Sequence, residues 1–224
     1  MDWTAFALSL ELAAWTVALL LPMAVLIARM LAWGRIPFKS GIEALIMLPL
    51  VLPPTVLGLY LLIAFSPQHA FGGLFKSLFG TSLVFSFPGI LIASLIVNLP
   101  FAVQPIQRAF ESIPRNVREA AFVSGLSRWE TMRRIELPLA WPGIVSALAL
   151  TFAHTLGEFG VILMIGGSIP GETRVLSISI YDRVQAFRLD QASVMSAALL
   201  AFSLIAIAVV HMLARRGRVD THGR

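Results

Sequence analysis

Residues 114–138 read PRNVREAAFVSGLSRWETMRRIELP, a polar stretch with a long apolar run on either side. Its punctuation predicts two short helices joined by a turn. Pro114 suits a first-turn position, where its missing N–H is no loss. Residues 116–123 carry a helical pattern that Ser124 and Gly125 end. Ser127 and Glu130 then stand at capping-box spacing, with Ser127 as N-cap. The second helix continues to Pro138, which is expected to open the next apolar run. Gly125 sits where a residue without a Cβ can adopt a turn closed to others. Ala120 and Ala121 leave one face of the first helix without bulk, a shape suited to a groove on another protein.

The flanking runs are long enough to cross a bilayer, which takes about 20 apolar residues. Five such segments are expected, over residues 8–33, 42–65, 84–106, 139–165 and 192–214. The runs are continuous rather than alternating, so they are helices, one of the two structures whose backbone can be satisfied in lipid. The first run is not expected to be a signal peptide, because no basic residue precedes Arg29. Pro49, Pro53 and Pro54 fall in the second run and Pro88, Pro100 and Pro105 in the third, which predicts kinks. Residues 176–189 are amphipathic and carry Asp182, Arg183 and Arg188; they are expected as an outer-surface helix rather than a sixth span.

Composition agrees with this reading. The 224 residues are 58% hydrophobic and 13% charged, against about 45–50% and 25% in soluble domains. Mean hydropathy is +0.84. Disorder is excluded, since it needs low hydrophobicity and high charge. There is no cysteine, hence no disulfide framework or thiolate chemistry. Of the 17 basic residues, 13 cluster at or beyond the ends of spans one, three and five: Arg29, Arg35, Lys39; Arg108, Arg115, Arg118, Arg128, Arg133, Arg134; Arg215, Arg216, Arg218, Arg224. Only Lys76, Arg174, Arg183 and Arg188 follow spans two and four. Excess Lys and Arg mark the cytoplasmic side. The N-terminus is expected outside, the C-terminus and the 108–138 loop inside. The net charge of +5 thus belongs to membrane topology and calls for no nucleic acid. The expected fold is all-α and polytopic: one membrane domain over residues 1–224 with five transmembrane helices.

As a pattern the loop is Glu119-Ala120-Ala121, three residues, Gly125, nine residues, Ile135, one residue, Leu137-Pro138. This resembles the EAA loop of ABC-importer permeases, with every fixed position present at the usual spacing. The resemblance implies the type I importer permease fold and makes these seven residues the coupling loop that docks on an ATPase subunit. Residues 48–55 (LPLVLPPT), 156–160 (LGEFG) and 169–174 (IPGETR) are similar to segments of molybdate permease subunits. Sulfate and thiosulfate permeases share relatives of them. The implied assembly is two copies of the chain, two ABC ATPases and a periplasmic oxyanion-binding protein, in the lipid bilayer of the bacterial inner membrane. The implied cargo is molybdate, with tungstate, sulfate or thiosulfate as alternatives.

The chain itself is expected to catalyse nothing and to hold no cofactor. It has no G-x-x-x-x-G-K-[ST] phosphate loop; Gly166-Gly167-Ser168 lacks the spacing and the lysine. Five helices are few for a sealed path, and a two-fold pair would supply ten. Ionisable groups inside spans are functional candidates, and His154 and Glu158 lie four apart, on one helical face. As an enzyme or metal pair they are incomplete, since zinc takes three or four ligands. A structural contact between helices, or a gate, is the alternative. Asn98 and Thr55 are neutral hydrogen-bonders at membrane depth, able to line an oxyanion path or to bond between helices. Arg174, in an outer loop, could meet an anion or an acidic binding protein, or form a loop salt bridge. Two rivals from other classes are an intramembrane enzyme and a scaffold without transport.

Overall fold

The structure, a computed structural model, describes residues 1–34 and 36–219. Arg35 and Arg224, two of the basic residues counted for orientation, lie outside the described residues. Eleven α-helices follow in order, with one π-helical stretch among them: α1 (Trp3–Trp33), α2 (Lys39–Val51), α3 (Pro54–Phe65), α4 (Ala70–Phe79), α5 (Phe87–Glu111), α6 (Arg115–Val123), α7 (Arg128–Thr131), the π segment Met132–Glu136, α8 (Leu137–Gly157), α9 (Gly160–Gly166), α10 (Leu176–Gln185) and α11 (Leu189–Val219). No strand occurs among the described residues.

Among the described residues four helical stretches are long and apolar enough to cross a membrane: Trp3–Trp33, Phe87–Glu111, Arg128–Gly157 and Leu189–Val210. The pair α2 and α3 makes a fifth if counted as one span, but it bends by 110°. The single second span expected over 42–65 is therefore two helices. A residue before proline is pushed out of the α region, and here two prolines follow each other. Leu52 and Pro53 both sit at ψ 137°. The prolines of the third span act differently: Pro88 lies in the first turn, and Pro100 and Pro105 stay inside a continuous helix of 25 residues.

The fourth span also departs from expectation at both ends. Pro138 does not open it, because helix runs unbroken from Arg128 to Gly157. The π stretch takes up the proline: the Leu137 N–H reaches back to the Met132 carbonyl, a wider turn than an α-helix makes. At the other end the helix stops at Gly157, Glu158 turns extended (ψ 127°), and α9 starts afresh at Gly160. His154 and Glu158 thus face each other across a helix end rather than along one helix. α10 is ten residues long, too short to cross a bilayer, as its sequence suggested.

Helices α1, α5 and α8 form the packed heart. One apolar cluster joins Leu8, Leu12, Ile90, Val97 and Ile162; the other joins Leu20, Ala24, Ala28, Ala102, Phe110 and Ala140. Small residues let membrane helices approach closely where no hydrophobic force drives them together. Helix α2 is attached differently. It has no fully buried residue; it meets α5 through Ile46, which packs on the second cluster, and through polar groups, Gln107 Nε2 donating to Glu43 Oε1 at 2.7 Å.

The α5–α8 approach gives a direct check. A Cβ at Gly143 would run into the Pro105 carbonyl and the Ala109 side chain, whereas one at Gly41 would meet nothing within 4 Å. Gly143→Ala is expected to destabilise by about 1–3 kcal/mol, the usual cost of overpacking. Gly41→Ala should be neutral or stabilise by up to about 1 kcal/mol through helix propensity. Thermal midpoints in detergent compare the two; equal midpoints would contradict the packing described.

Candidate functional site

The two chain breaks face each other. A Cβ on Gly160, at the start of α9, would lie 2.7 Å from the Pro54 Cβ at the start of α3. Between them is a cavity of about 200 Å³, lined by Leu52, Pro54, Leu57, Phe101, His154 and Glu158 among others. A buried polar thread enters it from α5. Thr16 donates to Ser94 Oγ at 3.0 Å, and Asn98 Nδ2 donates to the Ser94 carbonyl at 2.8 Å. That leaves Asn98 Oδ1 toward His154, 3.1 Å from Nδ1. Since Oδ1 only accepts, Nδ1 carries the proton in this arrangement. The His154 ring stacks on Phe101 at 4.1 Å between centroids, and its Nδ1 is 3.7 Å from Glu158 Oε2.

Glu158 closes the break. Its Oε1 accepts the Val161 N–H at 3.3 Å, and its carbonyl accepts the Ser177 hydroxyl at 2.6 Å. Three of the four sequence candidates are thereby brought together: Asn98, His154 and Glu158. Thr55 is not among them; it stands exposed on the first turn of α3. The thread ties the α8–α9 break to α5 and satisfies its members across the helix interface. Among the described residues no group of three or more His, Cys, Asp or Glu could hold a metal ion.

The polar loop takes the shape its sequence predicted. Helix α6 ends in a Schellman turn: the Leu126 N–H bonds to the Ala121 carbonyl at 3.1 Å and the Gly125 N–H to the Phe122 carbonyl at 3.0 Å. Gly125 sits at φ +81°, with open space where a Cβ would be. The capping box is complete, Ser127 Oγ accepting the Glu130 N–H at 3.2 Å and Glu130 Oε2 accepting the Ser127 N–H at 3.0 Å. The Ser127 N–H, and the Ser127 hydroxyl donating to the same oxygen at 2.8 Å, hold the Glu130 carboxyl below its ordinary value. Two details differ from expectation. Pro114 is the residue before the first turn rather than in it. Ala120 and Ala121 do not share a face: Ala120, like Glu119, is exposed, while Ala121 packs inward. Ile135 and Leu137 are half-buried and Pro138 exposed. Phe122, Val123 and Trp129 are presented outward at 43%, 89% and 64% exposure.

One residue of the loop was passed over as a spacer. Glu136, between Ile135 and Leu137, is completely buried. Its Oε2 accepts from Arg29 Nε at 2.6 Å and its Oε1 from Arg118 Nε at 3.0 Å. The Arg118 guanidinium also lies 3.8 Å above the Trp33 ring. The available signal was an acid lodged among apolar residues at a span end; its partners, 107 and 18 residues away, gave none.

Arg174 lies half-buried beside Asp2, Thr4, Pro170 and Gly171, around a cavity of about 250 Å³. Its Nε is buried and has no hydrogen-bond acceptor. The loop next to it is tied down by Thr173, whose hydroxyl donates to the Gly166 carbonyl at 2.6 Å.

Residues 20–219 match the family described as Binding-protein-dependent transport system inner membrane component. The chain is 44% identical, over 92% of its length and 91% of the relative's, to the Molybdenum transport system permease protein ModB of Azotobacter vinelandii. It is 35% identical to the Probable sulfate transport system permease protein cysT of Chlorella vulgaris, over 80% of this chain and 65% of that one. Among solved structures it is similar to a chain of a bacterial alginate ABC transporter in complex with an alginate pentasaccharide-bound periplasmic protein. The TM-score is 0.76 at 22% identity, covering 95% of this chain and 78% of that chain. At that identity the likeness is one of fold.

The N-terminal cap yields a pH prediction. Burial pushes the Asp2 carboxyl up, but the Ala5 N–H, the Ser179 hydroxyl and the charges of Arg174 and Arg183 outweigh it and hold the group below its ordinary value. A lowered folded-state pKa adds stability above the unfolded value, about 3.9 for Asp. That stability is lost as pH falls through the folded value. Asp2→Asn keeps the cap acceptor and removes the charge. Its thermal midpoint should lie a few °C at most below wild type at pH 7, exposed charge pairs being worth about 0–1 kcal/mol. The gap should close toward pH 3. A gap that does not change with pH would contradict the charge argument.

Proposed function

Because the chain belongs to the binding-protein-dependent transport system inner membrane component family, we propose that it is the permease subunit of an ATP-driven importer whose cargo is a tetrahedral oxyanion, molybdate. The observation that carries the transport reading is the loop: an exposed helix-turn-helix, closed by a Schellman turn and a capping box, projecting from the end of a spanning helix. The choice of ion rests on the closer likeness to the relative named for molybdenum than to the one named for sulfate.

Two copies of the chain form the path, two ABC ATPases drive it, and a periplasmic binding protein delivers the anion. The chain is one membrane domain in the inner membrane, with its N-terminus outside and its C-terminus in the cytoplasm. The basic-residue distribution supports that orientation. The second copy covers α2 and α3, which leave Leu45, Val51 and Tyr60 exposed at 68%, 78% and 63%. Glu119, Ala120 and the Gly125 turn meet the ATPase, with Phe122, Val123 and Trp129 as apolar anchors. Ala121, Ile135, Leu137 and Pro138 seat the loop on the bundle. Closure of the ATPase pair on ATP moves the loop, and the bundle switches between inward- and outward-facing states.

Thr55, exposed at the start of α3, forms part of the path wall, where weak neutral contacts let an ion pass without trapping it. Asn98, His154 and Glu158 hold the break behind it, as a gate support rather than an anion ligand, since a carboxylate repels an oxyanion. At the outer mouth the half-exposed Arg174 offers its positive charge to the anion or to an acidic rim of the binding protein.

The Gly125 turn supplies the test. A β-branched residue at positive φ is strained, whereas Asn tolerates that region. Gly125→Val should reduce ATPase co-purification and substrate-stimulated hydrolysis at least several-fold, and Gly125→Asn should keep most of both. Full docking and stimulation in Gly125→Val would sink the assignment of this loop. A reporter fused after Arg216 should read cytoplasm and one near Gly72 the outside; reversed reporters would overturn the orientation.

A further inference from the structure

Helix α6 is thinly attached by apolar contact. Of its nine residues only Ala121 is buried. A buried ion pair supplies a second, polar attachment. Arg118 reaches inward with its side chain 21% exposed and bonds to Glu136, which is fully buried. The same carboxylate takes Arg29 of α1 on its other oxygen at 2.6 Å. Trp33, one turn beyond Arg29, lies under the Arg118 guanidinium and packs on Phe110 of α5 at 5.1 Å. One carboxylate on the π turn before α8 thus joins α6 to α1, and the indole extends the contact to α5.

We propose that Glu136 is a positioning residue that carries movement of α6 into α1 and α8, the Arg118–Glu136–Arg29 triad acting as the rigid link. The proposal rests on the reading of the loop as the ATPase-coupling element. Its physical ground is the cost of separation. A buried carboxylate that loses one guanidinium keeps its desolvation penalty and loses the partner that offset it. Displacement of α6 is therefore followed by the helix ends rather than absorbed by stretching the contact. A wholly apolar seat would slide more easily, because dispersion contacts are non-directional and individually small. On the α1 side the Arg29 guanidinium forks over the carboxylate, Nε on Oε2 at 2.6 Å and Nη2 on Oε1 at 3.4 Å, which fixes direction as well as distance. The π turn is part of the device, since it is where the helix carrying Glu136 departs from regular geometry.

The test uses the assembled transporter with its ATPase and binding protein in proteoliposomes. Arg118→Lys keeps the charge but loses the Nε–H bond to Glu136 and the flat stacking surface over Trp33. The expected result is ATPase retained at wild-type stoichiometry while anion imported per ATP hydrolysed falls at least 5-fold. Glu136→Gln should lower that ratio further. Arg118→Lys added to Glu136→Gln should cost nothing more, since both act through one link. A purely structural role would lower the thermal midpoint and the amount of complex and leave the ratio unchanged, and that result would overturn the proposal. Loss of the ATPase from Arg118→Lys would also overturn it, by making Arg118 a docking residue. Failure of the loop reading itself appears elsewhere, as normal docking in Gly125→Val, so the two failures are distinguishable.

Discussion

In the hydrocarbon core of a bilayer there is no water to take up a free N–H or C=O, so each interruption of a helix has to be repaired from within the protein. The two mid-chain breaks are repaired in different ways. At Leu52–Pro53 proline removes the donors that would otherwise be orphaned, and the helix resumes with the Val56 and Leu57 N–H groups on the Pro53 carbonyl at 2.9 and 3.1 Å. At Glu158 side chains do the work: the Glu158 carboxylate takes the Val161 N–H, and Ser177 covers the Glu158 carbonyl. The first repair is rigid, because it is built into the rings. The second depends on groups that can exchange partners, and the thread through His154, Asn98 and Ser94 holds them in place.

The same requirement shapes the cytoplasmic end. The loop leaves the bundle as a closed local unit, its turn and caps satisfied by its own backbone and by Ser127 and Glu130. Its second helix runs on into α8, and its first is tied inward by Ala121 and by a buried carboxylate between two guanidinium groups. The exposed apolar residues and the buried charges thus lie on opposite faces of one short helical hairpin.

How much of this was legible in the sequence follows from the range of each interaction. The Gly125 turn and the capping box are coded within a few residues and stand where the sequence placed them, and the apolar runs are helical as expected, but the second run is broken at Leu52–Pro53 and the fourth is shifted toward the loop, over Arg128–Gly157. The His154–Glu158 contact was visible from its spacing, though not the helix end between its members; Gly157 and Gly160 flank that end and were the signal available. The prolines of the second and third spans looked alike. What distinguished them was adjacency: Pro53 and Pro54 together force extended backbone, while Pro100 and Pro105 stand apart and are carried within one helix. Thr55 reads as a membrane-depth hydrogen-bonder in either reading of the second span, and only the 110° bend shows that it leaves the polar thread. Glu136 was illegible because its meaning lies in Arg29, on another helix.

The central claim is that this chain passes a tetrahedral oxyanion, molybdate, inward at the expense of ATP spent by a partner. The most direct measurement is uptake of labelled molybdate into proteoliposomes holding the permease, its ATPase and its binding protein, with sulfate as competitor. The account predicts accumulation that requires ATP and binding protein together and persists under excess sulfate. Accumulation independent of ATP, or sulfate carried in preference to molybdate, would contradict it.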